Sequence, residues 1–361
     1  MSYQKLYNYG LSSRFEQEAL LYPGLQLARV TSQHRQLYTV MTENGEMQGS
    51  VSGKFVYQAD NDTTFPAVGD WVMVSQSEDG KDEGGRVVIH HVLQRKSVFE
   101  RKAAGTQHSA QIVASNIDVI FICMSLNNDF NLRRLERYLS IAWESAATPV
   151  IVLTKSDLCF DLPDKLAEIE TMNMGADVLV TSALDADVRQ QFLPYLGQEK
   201  TVVFLGSSGV GKSSLINLLL GKDVLVTQEV GSDDSGKHTT THRQLFALTA
   251  GGVVIDTPGM RELQLETANL SRTFEDIEQL ALQCKFNNCT HTTEGGCAVQ
   301  QAMADGVLSE ARLENYRKLE KEVQYGGLNS KQRERAKINN MFGSMREYKQ
   351  TMQHAKNKRY H

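Results

Sequence analysis

Residues 206–213 read Gly-Ser-Ser-Gly-Val-Gly-Lys-Ser, and no other stretch of the chain restricts its fold so strongly. A GxxxxGK[ST] loop works where a buried strand hands over to a helix N-terminus. Its glycines let backbone N–H groups turn inward around phosphates, Lys212 can reach the β- and γ-phosphates, and the Ser213 hydroxyl can ligate Mg²⁺. Both flanks are of the required kind. Thr-Val-Val-Phe-Leu at 201–205 is an apolar run suited to a strand buried on both faces, and 213–220 reads as a helix closed by Gly221. An accidental glycine-rich turn would need neither flank.

Apolar runs of the same kind begin at 118, 149, 177 and 252, and between the first two Leu132, Leu135, Leu139 and Ala142 repeat at helical spacing. Strand and helix in alternation predict a parallel sheet flanked by helices. Upstream, from 28 to about 92, the texture differs. Short alternating runs at 37–41, 51–57 and 70–74 are punctuated by Asn44-Gly45, Gly69-Asp70, Asp79-Gly80 and Gly84-Gly85. This predicts a small all-β domain, a five-stranded oligonucleotide-binding (OB) barrel or an SH3-like one. Its aromatics, Tyr38, Phe55, Tyr57 and Trp71, suit a core or a base-stacking surface, with Trp71 assigned to the core by its alternating neighbours. Beyond Glu266 the strands stop. A helix is predicted over 274–282 behind Thr273 as cap, and another behind Ser309, where Leu308 and Leu313 occupy the staple positions, ending at Gly326-Gly327.

Thr154-Lys-Ser-Asp157, at the end of the run from 149, bears on which nucleotide the loop holds. Asp157 can accept hydrogen bonds from guanine N1–H and its exocyclic amine, a donor pair adenine lacks. Lys155 can lay its stem along the base, Ser156 lies between them, and the backbone at Ser182-Ala183 can contact the guanine carbonyl. The competing reading is that Asp157 merely caps the next helix. Asp256-Thr-Pro-Gly259 then offers an aspartate that can hold Mg²⁺ through water and a glycine N–H that can sense the γ-phosphate. Between it and 206–213 lies Gly-Lys-His-Thr-Thr-Thr at 236–241, able to supply a Mg²⁺-ligating threonine, Thr239 or Thr240. Base recognition precedes the phosphate loop, and the switches follow it. An unpermuted GTPase begins with the phosphate loop, so the domain is expected to be circularly permuted.

Five cysteines are unevenly placed: Cys123 and Cys159 stand alone, whereas Cys284, Cys289 and Cys297 cluster around His291. Three thiolates and an imidazole satisfy tetrahedral zinc with no position left for substrate, so a structural site is expected. Asn287, Asn288, Thr290, Thr292 and Glu294 would make a poor apolar pocket for reduced thiols. His90 and His91 are read as strand-end residues.

Charge is also uneven. Residues 331–361 hold nine Lys/Arg against two Asp/Glu, leaving 29 against 41 in the remaining 330, the pattern of a polyanion-binding arm on an acidic body or of a solvated helical tail. At 361 residues, with 41% hydrophobic and 22% charged, the chain is expected to form two or three soluble domains. No apolar run of membrane-spanning length and no secretory leader is evident, so a cytoplasmic address and no membrane partner are expected.

Taken together, the order of these motifs resembles the small-ribosomal-subunit biogenesis GTPases of the RsgA/YjeQ type over nearly the whole chain. The OB barrel, the permuted GTPase domain with its 236–241 loop, and the zinc region 284–297 stand in the family order. The division expected is an N-terminal extension (1–27), an OB-fold barrel (28–104), a circularly permuted P-loop GTPase domain (105–266) and a zinc-binding helical domain with a basic arm (267–361). The resemblance implies GTP/GDP binding by Thr154, Lys155, Ser156, Asp157, Ser182, Ala183, Gly206, Ser207, Ser208, Gly209, Val210, Gly211, Lys212, Ser213, Asp256 and Gly259. It also implies Mg²⁺ at Ser213 and Thr240, one structural Zn²⁺ at Cys284, Cys289, His291 and Cys297, and catalytic parts for Lys212 and Thr240. The implied partner is the 30S subunit with its 16S rRNA, and the implied state a monomer. Thr154 departs from the asparagine many members carry, which bears on guanine affinity. Met260 follows Gly259 where many regulatory GTPases have a water-orienting glutamine, so unaided hydrolysis is expected to be slow, on the order of 10⁻⁴ to 10⁻² per second. His238 is the candidate for positioning water. Competing functions are an RNA-binding regulator with GTP as structural ligand, and an ATP-dependent enzyme in which Asp157 is incidental.

Overall fold

The computed structural model describes residues 3–34, 36–59, 62–77, 86–102, 110–172, 175–182, 184–185, 187–225, 243–256 and 269–326. Five strands, β1 (Gln26–His34), β2 (Leu37–Thr42), β3 (Gly45–Val51), β4 (Trp71–Gln76) and β5 (Arg86–Val92), close into a barrel. β1, β2 and β3 form an antiparallel meander, β3 pairs with β5 in parallel, and β4 joins β5 to β1. This is the OB-like arrangement. Alternation puts Val30, Tyr38, Val40, Val72, Val74, Val87 and Ile89 inside. The opposite face, with Leu27, Trp71, Met73 and Leu93, is covered by Leu6, Phe15 and Ala19 from the N-terminal helices Gln4–Tyr7 and Ser13–Ala19 and by Leu11 between them.

One segment departs from its expected form. The run 51–57 leaves the barrel after Val51 and turns into the helix Gly53–Gln58, with Ser52 Oγ accepting from Phe55 N at 3.1 Å. A seven-residue apolar alternation carries little information, and a serine cap with no strand to pair against decides for helix. Tyr57 is thereby 92% exposed, whereas Trp71 and Tyr38 are buried.

A hairpin of β6 (Val98–Lys102) and β7 (Ala110–Ser115) follows, so the expected division at 104/105 falls between two paired strands. Six more strands, β8 (Val119–Ser125), β9 (Thr148–Thr154), β10 (Asp177–Val180), β11 (Thr201–Leu205), β12 (Gln244–Ala247) and β13 (Val253–Asp256), lie in the order β10-β9-β8-β11-β13-β12. All are parallel except β12, which runs against β13. Strand β12 and the hairpin went unread in the sequence: β12 is only four residues long, and β6 turns charged at Glu100. Helix Leu132–Glu144 covers one face of the sheet through Leu135, Leu139 and Ala142, and helix Lys212–Leu220 covers the other through Leu215, Ile216 and Leu219.

Barrel and sheet are joined where β1 meets β12 at Ser32 and Gln244. A fully buried arginine, Arg29, sits beside this joint. Its guanidinium donates to Gly69 O at 3.2 Å, Thr201 Oγ1 at 2.8 Å and Tyr9 O, and lies 5.1 Å from the Trp71 ring. Burial lowers its pKa to about 10, opposed by the fields of Asp118 and Asp70. Barrel, N-terminal extension and the start of β11 are thus held by one side chain.

The C-terminal part consists of helices Leu270–Thr273, Glu275–Ala281, Ala298–Ala304 and Glu310–Gly326. Thr273 does not cap the second of these. It ends the first, which Asn269 caps by accepting from Arg272 N, and its hydroxyl accepts from Ser140 Oγ. Ser309 Oγ does accept from Arg312 N at 3.3 Å, with Leu308 and Leu313 buried on either side. Arg312 then reaches inward to Glu136 at 2.6 Å and to Asp276 at 2.7 Å, docking the last helix on helix Leu132–Glu144. Among the described residues no helix is long and apolar enough to cross a membrane.

Candidate functional site

Parallel strands deliver their carboxyl ends to one edge of a sheet, and ligands of open α/β sheets bind there. Register sets which residues meet. Ser125 of β8 lies beside Thr154 of β9, and Val203 pairs with Ile255, so Asp256 stands level with Phe204, two residues before Gly206. The base-loop, phosphate-loop and Asp256 residues therefore share this edge.

Gly206 leaves β11 at φ +155°, and a Cβ there would stand 2.5 Å from Cys123 O, so the close passage over β8 excludes a side chain. Lys212 opens the helix and curls back, its Nζ donating to Gly206 O at 2.9 Å and Ser207 O at 2.5 Å. The ammonium is thereby held over the loop's concave side, where phosphate oxygens can exchange for carbonyls. Ser213 follows in the helix's first turn. Beneath the loop, burial pushes the Cys123 thiol up to about 12, which keeps it a packing group.

In the base loop, Lys155 adopts the left-handed conformation at φ +58°, and Ser156 N donates to Thr181 O at 3.1 Å, tying the loop to the end of β10. Asp157 stays exposed, with Ser182 Oγ donating to its Oδ1 at 2.5 Å. The following helix, Leu162–Thr171, has Asp161 at its N-cap position. Thr154, buried, donates its hydroxyl to Val210 O at 2.7 Å and so braces the phosphate loop directly. Ala183, His238, Thr239, Thr240, Gly259, Met260 and the arm 331–361 lie outside the described residues.

Sequence reading passed over one more strand end at this edge. Residues 125–131 after β8 are organised by Asn127, whose Oδ1 accepts from Ser125 Oγ and Asp129 N, and by Asn131, which caps helix Leu132–Glu144. Asp129 Oδ2 accepts from Ser207 Oγ at 2.7 Å and pairs with Arg134 at 2.8 Å. The signal was available: a polar Asn-Asn-Asp stretch directly after a buried parallel strand.

The Cys/His cluster lies away from this edge, on the loop before helix Ala298–Ala304. Tetrahedral zinc with ordinary bond lengths places sulfur atoms about 3.8 Å apart and sulfur from nitrogen about 3.6 Å. Here Cys284 Sγ and Cys297 Sγ are 3.8 Å apart, and His291 Nδ1 is 3.6 Å from the first and 3.5 Å from the second. All four ligand atoms, including Cys289 Sγ, lie within 4.8 Å of one another, so the donor set fits zinc through Nδ1. His291 takes φ +57° to present that nitrogen, and its carbonyl accepts from Gln300 and Arg317. Glu294 gathers the loop by accepting from the N–H groups of Thr290, Thr292 and Thr293.

The RsgA GTPase family model matches residues 92–266, from the end of the barrel past the Asp256 strand. A relative from Lactiplantibacillus plantarum, named small ribosomal subunit biogenesis GTPase RsgA 2, is 49% identical over 357 residues, covering 99% of this chain and 98% of that protein. The chain belongs to the RsgA family of GTPases. Among solved structures, YjeQ from Thermotoga maritima is similar with a TM-score of 0.60 and 28% identity, covering 83% of this chain and 99% of that one. YloQ, described as a circularly permuted GTPase, is similar with a TM-score of 0.59 and 27% identity over 84% and 96%. This chain has a permuted order: base loop after β9, phosphate loop after β11, Asp256 at the end of β13.

Proposed function

We propose that this RsgA-family GTPase hydrolyses GTP to GDP and phosphate on the small ribosomal subunit and assists its late maturation, binding in one nucleotide state and leaving in the other. The observation that carries this reading is the common sheet edge. There Asp157, held by Ser182, the loop bearing Lys212, and Asp256 have the chemistry to take the base, the phosphates and a metal-bound water respectively. The relatives' printed names supply the ribosomal partner.

In this reading Asp157 accepts guanine N1–H and the exocyclic amine, Lys155 covers the base, and Ser156, Ser182 and Ala183 complete its pocket. The N–H groups of 206–213 enclose the phosphates, and Lys212 exchanges its carbonyl partners for phosphate oxygens as charge develops on them. Ser213 and Thr240 would hold Mg²⁺, with Asp256 behind a water and Gly259 at the γ-phosphate. When bound, Mg²⁺ neutralises charge on the phosphates. His238 is assigned to water positioning, since Met260 has no group for it. Cys284, Cys289, His291 and Cys297 would hold one structural Zn²⁺. The barrel (28–104), the GTPase domain (105–266) and the zinc-binding helical domain with its basic arm (267–361) together contact 16S rRNA, and the protein acts as a cytoplasmic monomer.

The test is GTP and ATP hydrolysis by the purified protein, alone and with small ribosomal subunits. Slow GTP turnover accelerated many-fold by the subunit, with ATP inert, is the expected result. Turnover unmoved by the subunit would overturn the ribosomal part and favour an RNA-binding regulator that uses GTP as a ligand.

A further inference from the structure

Asp129 belongs to no motif by which the chain was read, yet it touches the phosphate loop. One of its oxygens, Oδ2, accepts from the Ser207 hydroxyl at 2.7 Å and from the Arg134 guanidinium at 2.8 Å. Arg134 also donates to the Asp129 backbone carbonyl, and Asp129 N donates to Asn127 Oδ1 at 3.1 Å, so the main chain is held as well as the carboxylate. Ser207 is no neutral anchor point. Its carbonyl is one of the two that hold Lys212 Nζ, so whatever fixes Ser207 also sets where the lysine stands.

We propose that Asp129 is a positioning residue for the phosphate loop, and that through it nucleotide occupancy is coupled to docking of the C-terminal helix Glu310–Gly326. The second half follows from what Arg134 is attached to. It lies in the first turn of helix Leu132–Glu144, and that rigid element makes three ion pairs with the last helix: Arg133 to Glu314 at 3.3 Å, Glu136 to Arg312 at 2.6 Å, and Arg137 to Glu322. A phosphate arriving beside Ser207 brings negative charge toward the Asp129 carboxylate and strengthens that carboxylate's dependence on Arg134. Tightening this pair pulls on a helix whose other charged side chains grip the C-terminal helix. The path joins contiguous charged contacts and one rigid helix, and differs from the covalent connection that runs from Asp256 into the C-terminal part. Reciprocity requires that a partner which fixes the last helix also change nucleotide affinity by the same factor.

This inference rests on reading 206–213 as the GTP phosphate loop, and the experiment keeps the two apart. Equilibrium binding of a fluorescent GTP analogue and of GDP is measured on the full zinc-loaded chain, wild type and three variants: Asp129→Asn, Ser207→Ala and both together. A wild type that binds neither nucleotide refutes the phosphate-loop reading itself. With binding established, each single variant is expected to weaken affinity about tenfold or more, the lower end of what a hydrogen bond to a charged group contributes. The double variant is expected to lose less than the sum of the two, because Ser207→Ala removes the donor and Asp129→Asn removes the charge from the acceptor of one and the same hydrogen bond. Amide exchange across 310–326 supplies the readout that a merely structural role would not move. Nucleotide is expected to slow it in the wild type and leave it unchanged in Asp129→Asn. Wild-type affinity in the single variants, additive losses, or nucleotide-dependent protection that survives Asp129→Asn would each overturn the proposal. Ser207→Ala removes one hydroxyl from a loop already turned by glycines, so it keeps the test available should Asp129→Asn fold poorly.

Discussion

The hydroxyl of Thr154 donates to the carbonyl oxygen of Val210 across 2.7 Å, joining the last residue of the base-loop strand to the middle of the phosphate loop. This one hydroxyl braces the phosphate loop against the end of β9. Replacing Thr154 with valine keeps shape and removes the donor, leaving a buried carbonyl unpartnered at about 1–2 kcal/mol. GTP and GDP affinity should both fall about fivefold to thirtyfold, while Thr154→Ser should stay near wild type. Titration calorimetry on the three proteins checks this.

Asp157 is exposed and oriented by Ser182, so its replacement should leave the fold intact and act on base choice. Asp157→Asn presents an amide donor to the guanine donors, and discrimination between GTP and ATP should drop by about thirtyfold or more, the scale of a lost charged hydrogen-bond pair. Competition binding measures it. Unchanged discrimination would favour an enzyme indifferent to guanine.

Arg312 is buried between Glu136 and Asp276 and also donates to Met172 O and Thr273 O. Arg312→Ala strands the Glu136 carboxylate in a low-dielectric interior, with an expected loss of about 3–5 kcal/mol. Urea unfolding should show that loss, and the double variant with Glu136→Gln should recover part of it. An additive double variant would contradict the pairing.

Glu294 is half-buried, and the Thr290 hydroxyl and the surrounding N–H groups hold its carboxyl far below the usual range. A depressed folded-state pKa means its contribution is in place above the ordinary glutamate value of about 4.3 and is lost as pH falls below that. At neutral pH, Glu294→Ala should release zinc to a chelator about tenfold faster or more, because the loop carrying Cys289 and His291 loses its tie. Full removal of zinc should unfasten the loop 284–297 while leaving the barrel's thermal transition in place, which circular dichroism with metal titration can follow.

Much of the architecture was legible because it rests on local rules. Buried parallel strands need uninterrupted apolar runs, and β8, β9 and β11 are such runs. The loop at 206–213 needs its glycines and lysine in sequence, and the cage at 284–297 keeps all its ligands on one short loop. The run 51–57 was less legible, since seven alternating residues fit a strand or a capped helix and only the barrel's closure through β3, β5 and β4 leaves it outside. Strand β12 and hairpin β6–β7 were missed because four to six residues carry too little periodicity to mark a strand.

The sequence by itself determined the chemistry each segment can offer: a phosphate loop, a carboxylate for guanine, three thiols and an imidazole. These depend on residue type and on spacing within a few positions, which the covalent chain imposes. Only the tertiary structure decided which of these groups meet. Thr154 reaches Val210 and Asp129 reaches Ser207 because parallel strands put distant loops at one sheet edge, and Arg312 finds Glu136 across 176 residues because two helices dock. Such contacts leave no periodic trace in the chain, since their energy comes from burial and charge pairing between segments that sequence distance does not relate.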